Sequence, residues 1–306
     1  MEEGLTITFI SAAMFVGSFF LGFIPLLFTL SEKSLQFVSI LGAGLLCGTA
    51  LAITIPEGVG LLEDSWRAPS SDVPLGLNTS EKSSSSPEEP PPPRFYIGLA
   101  LTFGFTFMFA VDQIGGYIST RDQTVESSSS VHITATLGLV IHAAADGFAL
   151  GAAVATGQVT VQVIVFFAVI LHKAPAAFGL VSFLMHAGLE KKHIQGHLLA
   201  FSAAAPVVAI STYFILHSSG NSPQNQLSAT GVGMLFSAGT FLYVATVHVL
   251  PEISGGGGRT EEPLSDVQQL PEADAHKRQH LGFLESLTLI LGLGLPVVLA
   301  LGLHDD

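Results

Sequence analysis

Four side chains capable of chemistry lie within a short length of chain: His142, Asp146, His172 and Lys173. Each sits inside an apolar stretch of membrane-spanning length, where a charged side chain costs roughly 2.5–3.5 kcal/mol on insertion scales. His142 and Asp146 stand at i and i+4, which puts them on one helix face a turn apart. The turn between the two stretches centres near residues 158–159, and helical rise from it places all four groups roughly 19–25 Å below, near mid-bilayer. Two imidazoles and a carboxylate at one depth make a three-ligand site for a borderline divalent ion such as zinc. Gly147 and Gly151 let helices approach closely. Pro175 cannot donate to the carbonyl of Leu171, which frees an oxygen beside His172. A plainer reading pairs Asp146 with Lys173 as a buried structural ion pair, but it leaves both mid-membrane histidines unexplained.

The elements that must position these groups are membrane helices. Eight segments are apolar over about 20 residues, the length needed to cross a hydrocarbon core. They fall near 5–30, 36–60, 95–119, 131–156, 160–186, 197–217, 227–253 and 281–303. The start, Met1-Glu2-Glu3, is acidic where a signal peptide would be basic, so the first segment is expected to be a retained helix. The expected fold is an all-α polytopic membrane protein in a single transmembrane domain over 1–306. Histidines near span ends, His132, His186 and His217, are expected to make ordinary interhelical contacts. Asp112 and Glu285, single acids in the third and eighth spans, fit structural and pathway roles equally.

Composition supports this class. Only 11% of the 306 residues are charged, against about 25% in soluble domains, and the mean hydropathy is +0.58. A net charge of −13 lacks the basic footprint that nucleic acid requires. The single cysteine, Cys47, excludes an intrachain disulfide framework and a cysteine-based zinc finger. No HExxH occurs in the sequence, so metalloprotease chemistry lacks its residues and no catalytic residue is expected.

Orientation follows from Lys/Arg asymmetry. The loops around 31–35, 120–130, 187–196 and 254–280 hold Lys33, Arg121, Lys191, Lys192, Arg259, Lys277 and Arg278. The opposite loops hold Arg67, Lys82 and Arg94. The first set is expected in the cytosol and both termini outside it. Asn78-Thr79-Ser80 is a glycosylation sequon on the extracytosolic side of this topology. The Ser- and Pro-rich loop 61–94 is expected to be disordered, and the loop 254–280, opening on a glycine run, to be flexible.

One internal repeat is visible. GLLCGTALAITIPEG (44–58) and GTFLYVATVHVLPEI (239–253) match at Gly44/Gly239, Ala50/Ala245 and Pro56-Glu57/Pro251-Glu252. The two lie in antiparallel spans, the pattern of an inverted repeat with three helices on each side of a central pair. Glu57, His248 and Glu252 then mark opposite mouths of one pathway; the alternative is that Pro-Glu only caps and solvates helix ends.

The stretches HAAADGFALG (142–151), HKAPAAFGL (172–180), GTFLYVATVHVLPEI and the Pro-Glu ending the second span resemble the ZIP family of divalent-metal transporters. The resemblance covers all eight spans and implies a 3+2+3 helix arrangement with the metal site in the fourth and fifth. By position, His142, Asp146 and His172 fall on family ligand positions. Lys173 and Ala176 stand where the family usually has an acid and an acid or histidine, which argues against a second bound metal. Residues 120–130 contain none of the histidines of the family's cytosolic loop. The function implied is zinc transport into the cytosol, from outside or from a secretory lumen, by alternating access, with Zn2+ as substrate and no cofactor. Other divalent metals and the lipid bilayer are further expected partners, with a homodimer partner and a G protein added by resemblance. Golgi and plasma membrane are the compartments implied. A branch of the family sharing the HKAPAAFGLVSFLMHAGLE run adds an alternative activity, a membrane steroid (androgen) receptor coupling to G proteins; no residue pattern here marks a steroid pocket.

Overall fold

The computed structural model describes residues 2–27, 31–67, 93–121, 127–186, 188–220, 222–249 and 282–304. Among them the regular structure is all helical, because a span in hydrocarbon must satisfy its backbone groups within itself. The helices are α1 (Glu2–Leu27), α2 (Glu32–Thr49), α3 (Ile55–Arg67), α4 (Pro93–Arg121), α5 (Ser127–Ala155), α6 (Val159–His186), α7 (Lys191–Ser218), α8 (Pro223–Val244) and α9 (Phe283–His304). Two π-helical turns, Ala50–Thr54 and Ala245–Val249, interrupt the second and seventh spans. With α2, the first π turn and α3 counted as one, eight helices among the described residues are long and apolar enough to cross a membrane.

Boundaries differ from the sequence reading where local capping overrides hydropathy. The second span runs through α3 to Arg67, beyond the expected end at 60. α7 begins at Lys191 with Glu190 as its N-cap, so most of the expected loop 187–196 is helix. α8 starts at Pro223, whose fixed φ suits a first helical position, after Ser222, whose hydroxyl accepts from the Asn225 N–H. α6 stays helical through Pro175. Between α5 and α6 the chain turns at Gly157, whose φ of 69° favours glycine.

The packing is pseudo-symmetric. α5 lies against α7 and α8, as α6 lies against α1 and α2. α8 packs on α4, as α2 packs on α9. Mapping the first three spans onto the last three converts each pairing into the other, which is the expected three-two-three arrangement. The repeat-matched glycines explain themselves here. A Cβ at Gly44 would sit 2.6 Å from the Leu289 carbonyl oxygen and 2.9 Å from Gly292 Cα, on α9. A Cβ at Gly239 would collide with the Leu101 carbonyl and lie 3.0 Å from the Phe105 nitrogen, on α4. Both π turns begin on the matched alanines, Ala50 and Ala245.

Gly147 and Gly151 also serve close approach, but to α7 rather than to the hairpin partner α6. A Cβ on either would run into the carbonyls of Ala205 and Ala209. The buried core is built from α5, α6 and α7, with Ala143, Leu150, Val165, Ala177, Phe201 and Ala205 inside. Large apolar side chains on α4 and α9, such as Phe103 and Val298, are exposed, as lipid-facing positions should be.

Candidate metal site

α5 and α6 bring His142, Asp146 and His172 together at the centre of the helix bundle. One nitrogen or oxygen from each lies within 4.8 Å of the others, and all three are buried. His172 Nε2 donates to Asp146 Oδ2 at 2.9 Å. His142 Nε2 lies 3.4 Å from the same oxygen. The imidazole centroids are 5.4 Å apart, and both rings pack on Phe241 of α8, at 4.9 and 5.2 Å.

α8 supplies the surroundings. The Ser237 hydroxyl donates to Asp146 Oδ1. Thr240 Oγ1 lies 2.9 Å from His142 Nδ1 and donates to the Ser237 carbonyl at 2.7 Å. From the second span, Ala50 and Thr54 of the first π turn complete a narrow crevice with His142, His172, Ser237, Ala238 and Phe241. The Thr54 hydroxyl donates to the Thr49 carbonyl at 3.3 Å, so the widened turn keeps a partner for that oxygen. Ser237, Thr240, Phe241 and Thr54 were not singled out from the sequence. Their only signal was two hydroxyls at i and i+3 in an apolar span.

Lys173 decides against the plainer reading of a structural ion pair with Asp146. It is fully buried, but its ammonium donates to the Phe201 carbonyl on α7 at 3.3 Å and lies 4.3 Å from the Phe201 ring centroid. Asp146 is engaged by His172 and Ser237 instead, so the Asp146–Lys173 ion pair of the plainer reading is not formed. Consecutive helix positions are about 100° apart, which directs position 173 to α7 when His172 faces α5. Such a cation–carbonyl and cation–π contact is a way to keep a charge buried.

The other sequence-derived positions are scattered. Ala176 is buried in the apolar core, and Pro175 packs near Gly42 of α2, where a Cβ would be 3.7 Å from its own. Glu57 does not end its span as expected: it is half-buried in the first turn of α3, and the continuous span Gln36–Arg67 runs on well past it. His248 lies on the second π turn, its side chain outside the described residues, as are Glu252 and Asn78 altogether. Asp112 accepts from the Tyr243 hydroxyl at 2.8 Å, joining α4 to α8. Glu285 accepts from Gln36 of α2 at 2.7 Å and from the Gly282 N–H at 2.9 Å, tying down the start of α9. His217 stacks on Tyr213 at a span end.

The family model described as ZIP Zinc transporter matches residues 4–135 and 119–300. The chain is 49% identical to zinc transporter ZIP9-A of Xenopus laevis, over 99% of both chains. It is 46% identical to zinc transporter ZIP9 of Micropogonias undulatus, over 99% of this chain and all of that one. To zinc transporter ZIP9 of Macaca fascicularis it is 57% identical over 54% of this chain and 66% of that one.

Proposed function

The chain belongs to the ZIP zinc transporter family, and from that premise we propose that His142, Asp146 and His172 bind the zinc it moves. The observation that carries this is the buried cluster of two imidazoles and a carboxylate whose ligand atoms lie within 4.8 Å of one another. Tetrahedral zinc with bonds of about 2.0–2.1 Å holds its ligands roughly 3.3 Å apart, so a small contraction closes the cluster on an ion. Zinc takes the place of the hydrogen that His172 shares with Asp146, because ligand nitrogens must offer a lone pair. Phe241 and the surrounding apolar core exclude water, which strengthens each contact to the ion.

The site sits where the two three-helix units meet, so rocking of one unit against the other opens it to either side in turn. The family resemblance implies travel toward the cytosol from outside or from a secretory lumen, and the lysine and arginine asymmetry supports extracytosolic termini with Asn78 available for glycosylation. Golgi and plasma membrane are the compartments that the family resemblance implies. The receptor alternative is not favoured, since the family and the relatives above are named for zinc transport.

Zinc flux into proteoliposomes tests the reading. Each of His142→Ala, Asp146→Ala and His172→Ala is expected to reduce flux to background while inserting normally. Wild-type flux in all three would end it.

A further inference from the structure

α8 holds two hydroxyls that the transport reading does not itself require, and their hydrogen bonds have a definite direction. Thr240 is completely buried and Ser237 and His142 nearly so, each 2% exposed. A hydroxyl has one hydrogen. That of Thr240 goes to the Ser237 carbonyl, 2.7 Å away. Toward His142 Nδ1, at 2.9 Å, Thr240 can only accept, so the imidazole carries its hydrogen on Nδ1. The lone pair is then on Nε2. That atom is buried without a hydrogen-bond partner among the described residues, although Asp146 Oδ2 lies 3.4 Å away and the crevice lies beside it. A buried ring nitrogen left unpaired is costly, and a lone pair facing a carboxylate gains nothing until a cation stands between them.

We propose that Thr240, oriented by the Ser237 carbonyl, is a positioning residue: it fixes His142 in the Nδ1–H tautomer and aims the Nε2 lone pair at the arriving metal ion. The proposal rests on the reading of His142 as a zinc ligand and adds the group that prepares it. The Ser237 hydroxyl does the same for Asp146 by holding Oδ1, which leaves Oδ2 turned toward both imidazoles. The seventh span thereby orients ligands carried by the fourth without touching the ion. Outer-shell partners of histidine ligands act this way generally, fixing tautomer and ring orientation, and losing one costs about 10–100-fold in metal affinity.

The test uses the full chain in proteoliposomes with zinc, and the purified chain in detergent for equilibrium zinc binding. Thr240→Val removes the hydroxyl and keeps the volume; it should raise the KM for zinc flux about 10–100-fold with a much smaller change in kcat. Thr240→Ser keeps the acceptor and should restore KM to within a few-fold of wild type. Ring 15N shifts of His142 should report Nδ1–H in the wild type and in Thr240→Ser, and a tautomer mixture in Thr240→Val. If Thr240→Val does not fold, Thr240→Ala replaces it and the Ser variant remains the reference. Adding Thr240→Val to His142→Ala should weaken binding no further than His142→Ala alone. A Thr240→Val variant with wild-type KM and shifts overturns the proposal, as does a Thr240→Ser variant as impaired as the valine. If His142→Ala itself binds zinc normally, the metal-site reading fails and takes this inference with it; normal binding by Thr240→Val beside a dead His142→Ala sinks this inference alone.

Discussion

The second and seventh spans bend alike and differ in what they offer the centre of the molecule. Both widen into a π turn on a repeat-matched alanine, and both use a matched glycine to lie against a neighbouring helix, α9 in one case and α4 in the other. Where α8 places Ser237 and Thr240 ahead of its turn, α2 has Gly42 and Leu45 at the corresponding positions. Neither can hydrogen-bond through its side chain. Gly42 faces Pro175 of α6, which a Cβ there would meet at an ordinary 3.7 Å contact. The fourth span therefore meets a polar buttress on α8, while the fifth meets an apolar seat on α2, and His172 takes its hydrogen bond from within the site, with Asp146. The duplicated parts are those that shape the backbone: glycine for close approach and a widened turn for bending. On the proposed reading of the site, side chains that meet the cargo are free to diverge, because one set of ligands suffices for one ion.

The strongest way to break this comparison is at the matched glycines. Gly44→Leu and Gly239→Leu should each remove most folded protein, measured as monodisperse protein on size-exclusion chromatography. Each would drive a side chain into the backbone of a neighbouring helix, and overpacking of this kind costs about 1–3 kcal/mol or more. Gly294→Leu, where a Cβ would meet nothing within 4 Å, is the control and should behave as wild type. If one of the pair is tolerated and the other is not, the two glycines do not do equivalent work and the structural repeat is narrower than drawn.

These parts were not equally legible in the sequence. Eight spans and the hairpin could be read because apolar length and mid-membrane charge are local signals. His142, Asp146 and His172 came out together because the turn near Gly157 fixes their depths, and depth follows from counting residues. What counting does not give is azimuth. Lys173 is one residue from His172 yet faces α7 and Phe201. Gly147 and Gly151 face α7 although they precede the turn into α6. Ser237 and Thr240 were invisible for a related reason. Hydroxyls in membrane helices commonly bond back to their own helix, as Thr49 and Thr288 do, and only the position of α5 shows that these two reach Asp146 and His142. The π turns carry no composition signal; glycine, alanine and proline marked the repeat without revealing the widened turn between them.

A smaller effect is expected at the two repeat-matched acids. Glu57 opens α3 just after the first π turn, and Glu252 holds the matched position after the second. If each lies at a mouth of the pathway, Glu57→Gln should slow flux by about two- to fourfold when zinc is presented from its own side, the effect of one partly screened charge on a divalent ion about 10 Å away. Glu252→Gln should do so from the opposite side. Inside-out and right-side-out vesicles separate the two directions. Equal, direction-independent kinetics would leave neither acid a pathway role; capping a span end is already excluded for Glu57, which lies inside the continuous span Gln36–Arg67.

The smallest effect is expected at Lys173, and it decides whether the fifth span contributes charge to the site at all. Were the ammonium the partner of Asp146, Lys173→Met would strand a buried carboxylate, and breaking such a pair costs about 3–5 kcal/mol. Zinc binding and folding would both change steeply. The observed contacts imply otherwise. Asp146 keeps the His172 and Ser237 hydrogen bonds without Lys173, and the Phe201 carbonyl belongs to an intact turn of α7. Methionine has a similar length, fills the space over the Phe201 ring, and makes a favourable sulfur–aromatic contact there. Exchanging a buried ion for an apolar side chain of similar volume is often neutral or stabilising. Lys173→Met should therefore keep the KM for zinc within about twofold of wild type, far inside the 10–100-fold range expected for an outer-shell partner, and should leave thermal stability unchanged or raised. Flux titrations and a melting curve in detergent measure both. A KM raised tenfold or more would place the ammonium in the electrostatics of the site and make the apolar seat on α2 a poor description of the fifth span's half.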